Sequence, residues 1–342
     1  MIELDLDKVK FINTNGEISV NIKIDFPNNL YKYYTIDKNS NASIKNSSLF
    51  FSHAHLLNDV MDGNFSLWNL NEYIEKYKRE TKNISDNETL IISHLTQLIN
   101  PILKYRGTLS LTDCYKNELF WAHYTKDRGY CIQLNTQKLN HFLKEKYKNN
   151  VLLFPINYGE LKSINFHKKV IYETNGENQT VDAKIPIFYS FSVKDNFWNY
   201  ENEWRFFLNH KDFEQVSNPL EIISDELKKI ELGNLSKRNI KINNKIIEKV
   251  ILALYFFNNE RFNKREIDNQ QNETFWFKTD TCEFESLHNF ISILKEQYND
   301  RIEQIDKTLN YEKNIVHRKL QFKVQILELT KEFLKIKRTI IV

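Results

Sequence analysis

Glycine and proline are scarce in this chain, at seven and five residues among 342. Neither a G-x-G-x-x-G nor a G-x-x-x-x-G-K-[ST] pattern occurs. Glycine-rich loops that bring backbone N–H groups against nucleotide phosphates are therefore excluded. Cysteine is also sparse: Cys114, Cys131 and Cys282 are an odd number, far apart, with no C-x-x-C pair. A disulfide framework and a structural zinc site are not expected, and a reducing compartment is the default. No apolar run approaches the roughly 18 residues of a membrane span. The start, Met1-Ile-Glu-Leu-Asp-Leu-Asp, is acidic and alternating, unlike a secretory leader. A cytoplasmic protein with no membrane partner is the expectation. An excess of one charge is missing too, since 48 Lys and Arg against 45 Asp and Glu leave a net +3. That is too little to imply a nucleic-acid partner.

What the chain has is aromatic and β-branched material. There are 24 Phe and 17 Tyr, and 41% of residues are hydrophobic, ample for a large core. Residues 18–26 alternate strictly, with Ile18, Val20, Ile22, Ile24 and Phe26 on one side, which predicts a half-buried strand. Leu30–Ile36, Leu49–Ser52, Gly107–Thr112, Tyr130–Leu134, Val151–Tyr158, Ile185–Phe191, Ile246–Phe257 and Leu320–Ile326 also read as strands. Asp37–Ser48 and Thr174–Thr180 read as polar loops. Helical spacing is found in Leu67–Tyr77, in Leu90–Ile99 behind the capping box Ser85-Asp-Asn-Glu88, after Asn135 or Thr136, and in Phe284–Tyr298, with a continuation towards Leu309. The sum is an α+β fold with a mixed, mainly antiparallel sheet core and helical insertions. The expected division is one domain over residues 1–310 and an extension over 311–342.

Four segments carry candidate chemistry. In Trp198-Asn-Tyr-Glu-Asn-Glu-Trp-Arg205, a strand would set Glu201, Glu203 and Arg205 on one face, with the two carboxylates about 7 Å apart. Such a pair needs a cation nearby, and Arg205 and Lys194 are available. Carboxylates so held can stabilise an oxocarbenium-like transition state; the commoner account is a solvent-facing ion-pair strand. In Tyr31-Lys-Tyr-Tyr34, Lys32 can reach a phosphate and a tyrosine can stack on a base, or the segment is an amphipathic edge strand. Ser52-His-Ala-His-Leu-Leu-Asn-Asp59 offers His53, His55 and Asp59 as weak metal candidates, while Asn58-Asp59 is equally a turn or helix cap. Trp121-Ala-His-Tyr124 packs an indole, His123 and Tyr124 together, suited to holding a ring or to a core corner. No thiol nucleophile is supported.

With Leu-Ser-Leu-Thr (109–112) added, the order along the chain is Leu-Tyr-Lys-Tyr (30–33), Phe-Phe-Ser to Asn-Asp (50–59), Leu-Ser-Leu-Thr, Trp-x-x-Tyr to Gly-x-Cys-Ile (121–132) and Trp-x-Tyr-Glu-x-Glu-Trp-Arg (198–205). The set resembles the bacterial DUF2971 family over roughly residues 30–300. Two departures stand out: Val60 follows Asp59 where the family usually has proline, and Ala253-Leu-Tyr-Phe lacks an expected glycine. The motif order is similar to an ADP-ribosyltransferase-like fold. That resemblance implies NAD as substrate, with Glu203 as catalytic residue, Glu201 and Tyr33 assisting, and Lys32, Ser52, Asn58, Asp59, Trp121, His123, Tyr124, Lys194 and Arg205 around the nucleotide. It also implies an acceptor of unspecified kind and a place among bacterial toxins or anti-phage effectors. The alternatives are a metal-dependent nuclease using Glu201, Glu203 and Asp59, and a non-catalytic module that senses a nucleotide or a partner.

Overall fold

The computed structural model describes residues 2–53, 56–59, 61–63, 67–69, 106–165, 167–173, 176–182, 184–210, 213, 237–310 and 315–341. The helices expected over 67–77 and 90–99 lie almost wholly outside these residues, as does His55. The chain is α+β, with helices and a large, mostly antiparallel mixed sheet. It divides into two compact units. Unit 1 comprises Met1–Phe26, Phe50–Ser110 and Leu143–Asn239; unit 2 comprises Pro27–Leu49, Leu111–Phe142 and Ile240–Val342.

Unit 2 is built on a run of strands in the order Phe262–Ile267, Asn272–Phe277, Phe333–Ile340, Ile315–Leu329, Ile302–Asn310, Ile247–Leu252, Tyr130–Asn135 and Asn29–Tyr34. Neighbours are antiparallel except Ile247–Leu252 with Ile302–Asn310, which run parallel. Adjacent residues of a strand point to opposite faces, and each face finds its own cover. Tyr130 stacks on Phe290 of the helix Phe284–Gln297, 4.4 Å between ring centroids. Its neighbour Cys131 joins Tyr31, Ile251, Ile305 and Trp121 of the helix Glu118–Thr125 on the other side. The expected polar loop at 37–48 is instead largely the helix Lys38–Lys45. Asp37 caps it, accepting from the N–H groups of Asn39 and Ser40 at 2.8 and 2.9 Å, while the Ser40 hydroxyl accepts from the Asp37 N–H. A reciprocal cap of this kind stabilises a first turn that composition alone would assign to coil.

Unit 1 opens with an antiparallel meander, Ile2–Asp5, Val9–Thr14 and Glu17–Ile22. The alternation expected to run to Phe26 thus ends as a strand at Ile22. Glu203–Asn209 lies between Arg106–Thr112 and Val151–Pro155 in the sheet order. Phe11, Phe154, Phe188, Phe191 and Phe207 form the core, with Phe11–Phe154 and Phe188–Phe207 centroids 5.2 and 5.0 Å apart. Ile185–Phe191, expected as a strand, is within the helix Lys184–Ser192, buried from Ile185 to Ser192. A short wholly apolar run carries no periodicity to separate buried helix from buried strand, and Pro186 is tolerated in a first helical turn. Two other expectations change: Gly176–Asp182 is a strand paired with His167–Glu173, and the residues after Tyr298 enter the strand Ile302–Asn310 rather than prolonging the helix.

A buried charge cluster as the candidate active site

The acidic segment does not enter as one continuous strand. Asp195 accepts from the Phe197 N–H at 2.9 Å and starts a 3-10 turn over Asn196–Glu201. Asn202 then takes a left-handed conformation, φ 42° and ψ 50°, and Glu203 begins the strand Glu203–Asn209. Glu201 therefore does not share a strand face with Glu203 by alternation. The two still meet, because the turn folds Glu201 back towards Lys194. Asparagine suits this position, since its short polar side chain tolerates the left-handed region better than most.

Lys194 sits on the short strand Val193–Asp195, which pairs in parallel with Asn157–Gly159. Its Nζ lies 2.7 Å from Glu201 Oε2 and 2.8 Å from Glu203 Oε2. Arg205 holds Glu203 in a two-point contact, Nε to Oε1 at 2.6 Å and Nη2 to Oε2 at 3.0 Å. The same guanidinium donates from Nη2 to Asp62 Oδ2 at 2.8 Å and from Nη1 to the Phe191 carbonyl at 2.9 Å. Asp62 Oδ1 is 2.7 Å from Nη1 but lacks hydrogen-bond geometry. Glu201, Glu203, Lys194, Arg205 and Asp62 are all buried. Tyr158 adds a neutral contact, its hydroxyl accepting from the Glu203 N–H at 2.8 Å.

Three carboxylates and two cations share this site, and they do not titrate alike. Burial pushes the Glu203 carboxyl up, but Arg205 and Lys194 outweigh it and hold Glu203 far below the ordinary value of 4.5. For Glu201 burial dominates, with the Glu203 charge adding to it, and its carboxyl is raised in spite of Lys194. Asp62 is raised as well, again by burial first. Lys194 is disfavoured by burial yet held above its usual range by Glu203, Asp62 and Glu201. Glu203 is thus a fixed anion, and Glu201 a carboxyl with increased proton affinity.

The remaining candidates are divided between the two units. In unit 1, Ser52 pairs with Thr108 across an isolated antiparallel bridge. Asp59 is buried and accepts from the Met61 N–H at 2.9 Å, as a turn residue does, and Asn58 is exposed beside it. In unit 2, the Tyr33 hydroxyl donates to the Cys114 carbonyl at 3.2 Å, and its ring packs on Phe120 and Trp121. Trp121 is fully buried and donates from Nε1 to the Tyr115 carbonyl at 2.7 Å. It belongs to the core cluster with Tyr31, Cys131 and Ile251. His123 is exposed, Tyr124 half-buried against Phe120, and Lys32 lies 6.0 Å from the Tyr34 ring. Among the described residues no group of three His, Cys, Asp or Glu is placed to hold a metal ion, and no helix is long and apolar enough to cross a membrane.

Sequence reasoning missed Asp62 and Tyr158. Asp62 follows Asp59 by three positions, but no spacing rule ties a loop carboxylate to an arginine 143 residues away. No curated protein and no solved structure matches the chain. Residues 120–206, the segment that carries Lys194, Glu201, Glu203 and Arg205, match the family model DUF2971, described as a protein of unknown function.

Proposed function

We propose that the chain cleaves the nicotinamide–ribose bond of NAD and passes ADP-ribose to an acceptor or to water. The observation that supports this reading is the divergence of the two adjacent carboxylates. Paired groups whose environments drive their proton affinities apart are suited to divided acid–base roles. As the C1′–N bond breaks and its electron pair leaves with nicotinamide, the fixed anion Glu203 would stabilise positive charge growing on the ribose. Glu201 would take the proton of the attacking hydroxyl, its raised affinity bringing it closer to a working base. Lys194 touches both, and Arg205, which grips Glu203 alone of the two, sets them apart. An ADP-ribosyltransferase-like architecture, and a role as a bacterial toxin or anti-phage effector, belong to the same proposal.

The test is incubation of the full chain with NAD labelled on the adenine side, with and without bacterial lysate. Nicotinamide release and label transfer are followed together. Absence of release under all conditions sinks the activity; release that survives Glu203→Gln sinks only the residue assignment.

A second reading is favoured by one detail. Both Glu203 oxygens are already engaged, by Arg205 and by Lys194, as in a clamp for a non-catalytic module that senses a nucleotide or partner. In that case NAD or a related nucleotide binds without turnover. The nuclease alternative has less support, since the Lys194 ammonium occupies the place between the carboxylates that a divalent ion would take. Its mark would be nucleic-acid cleavage abolished by EDTA.

A further inference from the structure

Arg106 opens the strand Arg106–Thr112 in unit 1, and its guanidinium carbon lies 5.7 Å from the centre of the Phe207 ring. Phe207 is two residues along the strand from Arg205, on the same face by alternation, and packs on Phe191, whose carbonyl accepts from Arg205. Arg106 is therefore connected to the charge cluster through Phe207 and Phe191. Among the described residues no carboxylate pairs with it, and its Nε is buried without a hydrogen-bond partner. Burial pushes its proton affinity down to about 10.

Two residues on, the Thr108 side chain falls on the same face. Thr108 is 1% exposed, and its hydroxyl also lacks a partner. Ser52 lies opposite Thr108 in the antiparallel bridge and so shares that face. The residue between them, Gly107, is packed under Phe213 and Phe51 on the opposite side. Arg106 is half-buried, but its Nε and the Thr108 hydroxyl are each buried without a partner among the described residues, and a polar atom so left is unfavourable. A ligand that carries negative charge and several acceptor oxygens relieves both at once. Arginine is the side chain suited to it, because its planar fork meets a phosphate at two points.

We propose that Arg106 and Thr108, with Ser52 beside them, form an anion subsite that takes a phosphate group of a nucleotide next to the carboxylate cluster. It deepens the NAD reading, for which it supplies the diphosphate contact, and it can be tested apart from turnover. The full chain is titrated calorimetrically with inorganic pyrophosphate, ADP and ADP-ribose, and nicotinamide release is measured in parallel. Saturable binding of ADP-ribose tighter than of pyrophosphate assigns the subsite to a nucleotide; equal affinities would make it a site for free phosphate and overturn the nucleotide assignment.

Arg106→Gln is expected to weaken binding at least about tenfold, and Arg106→Lys to keep part of it. Thr108→Val is expected to weaken binding while leaving the urea midpoint unchanged or higher, a split that a purely structural hydroxyl would not give. No binding by the wild type, or equal binding by Arg106→Gln, overturns the subsite. Binding without nicotinamide release overturns only the catalytic reading, and release that is indifferent to both variants overturns only the subsite.

Discussion

Glu201 and Glu203 are chemically identical and touch the same ammonium, yet their carboxyls are displaced in opposite directions. The difference is Arg205, which grips Glu203 at two points. Because Glu203 is depressed in the folded state, its stabilisation is present above the ordinary value of 4.5 and is lost as pH falls through its own titration. Glu201 and Asp62 are raised and act in the other sense, favouring the folded state as they take up protons and opposing it as pH rises. Glu203→Gln is expected to destabilise by about 3–5 kcal/mol at pH 7, since it leaves Arg205 and Lys194 underpaired in a buried site. Glu201→Gln is expected to change neutral stability far less and to flatten the pH dependence between the ordinary carboxylate value of 4.5 and its raised titration. Urea midpoints measured from pH 4 to 8 check both; equal losses for the two variants would refute this division.

At the scale of elements, the cluster depends on backbone features that hold no charge. The left-handed Asn202 turns the 3-10 segment into the strand and brings Glu201 back to Lys194. Asn202→Gly should preserve the geometry, whereas Asn202→Val should destabilise by roughly 1–2 kcal/mol through strain at positive φ. If the two melt alike, the turn does not govern the site. Gly107 is a second such point: an added methyl would fall on the Phe213 ring and 2.9 Å from Phe51 Cβ. Gly107→Ala is expected to lower stability by about 1–3 kcal/mol by overpacking, read as a lower melting temperature. Strands with strong alternation or flanking turn residues, such as Asn29–Tyr34 and Tyr130–Asn135, were legible from pattern. The helix Lys184–Ser192 was not, because it is apolar on every side, and the helix Lys38–Lys45 was hidden by a polar composition that its cap overrides.

At the scale of the whole molecule, the chain makes two units from interleaved segments, three to each. The residues after 310 are not peripheral to unit 2: Ile315–Leu329 and Phe333–Ile340 lie between Ile302–Asn310 and Asn272–Phe277. Val324, Ile326, Leu334 and Ile336 are buried there, each contributing about 1.5–3 kcal/mol of apolar burial. Truncation after Asn310 is therefore expected to abolish cooperative unfolding of the chain, judged by thermal denaturation; a truncated protein melting like the full one would contradict it. The sequence by itself determined the α+β class, the absence of a glycine phosphate loop, most strands and the acidic segment with its arginine, because these follow from local composition and a period of two. Only the tertiary structure decided that Asp62 completes the cluster, that Trp121 is core and that Arg106 Nε and the Thr108 hydroxyl are buried without partners among the described residues. Those facts depend on which distant segments meet and on how deeply each group is taken from water, and no local pattern encodes either.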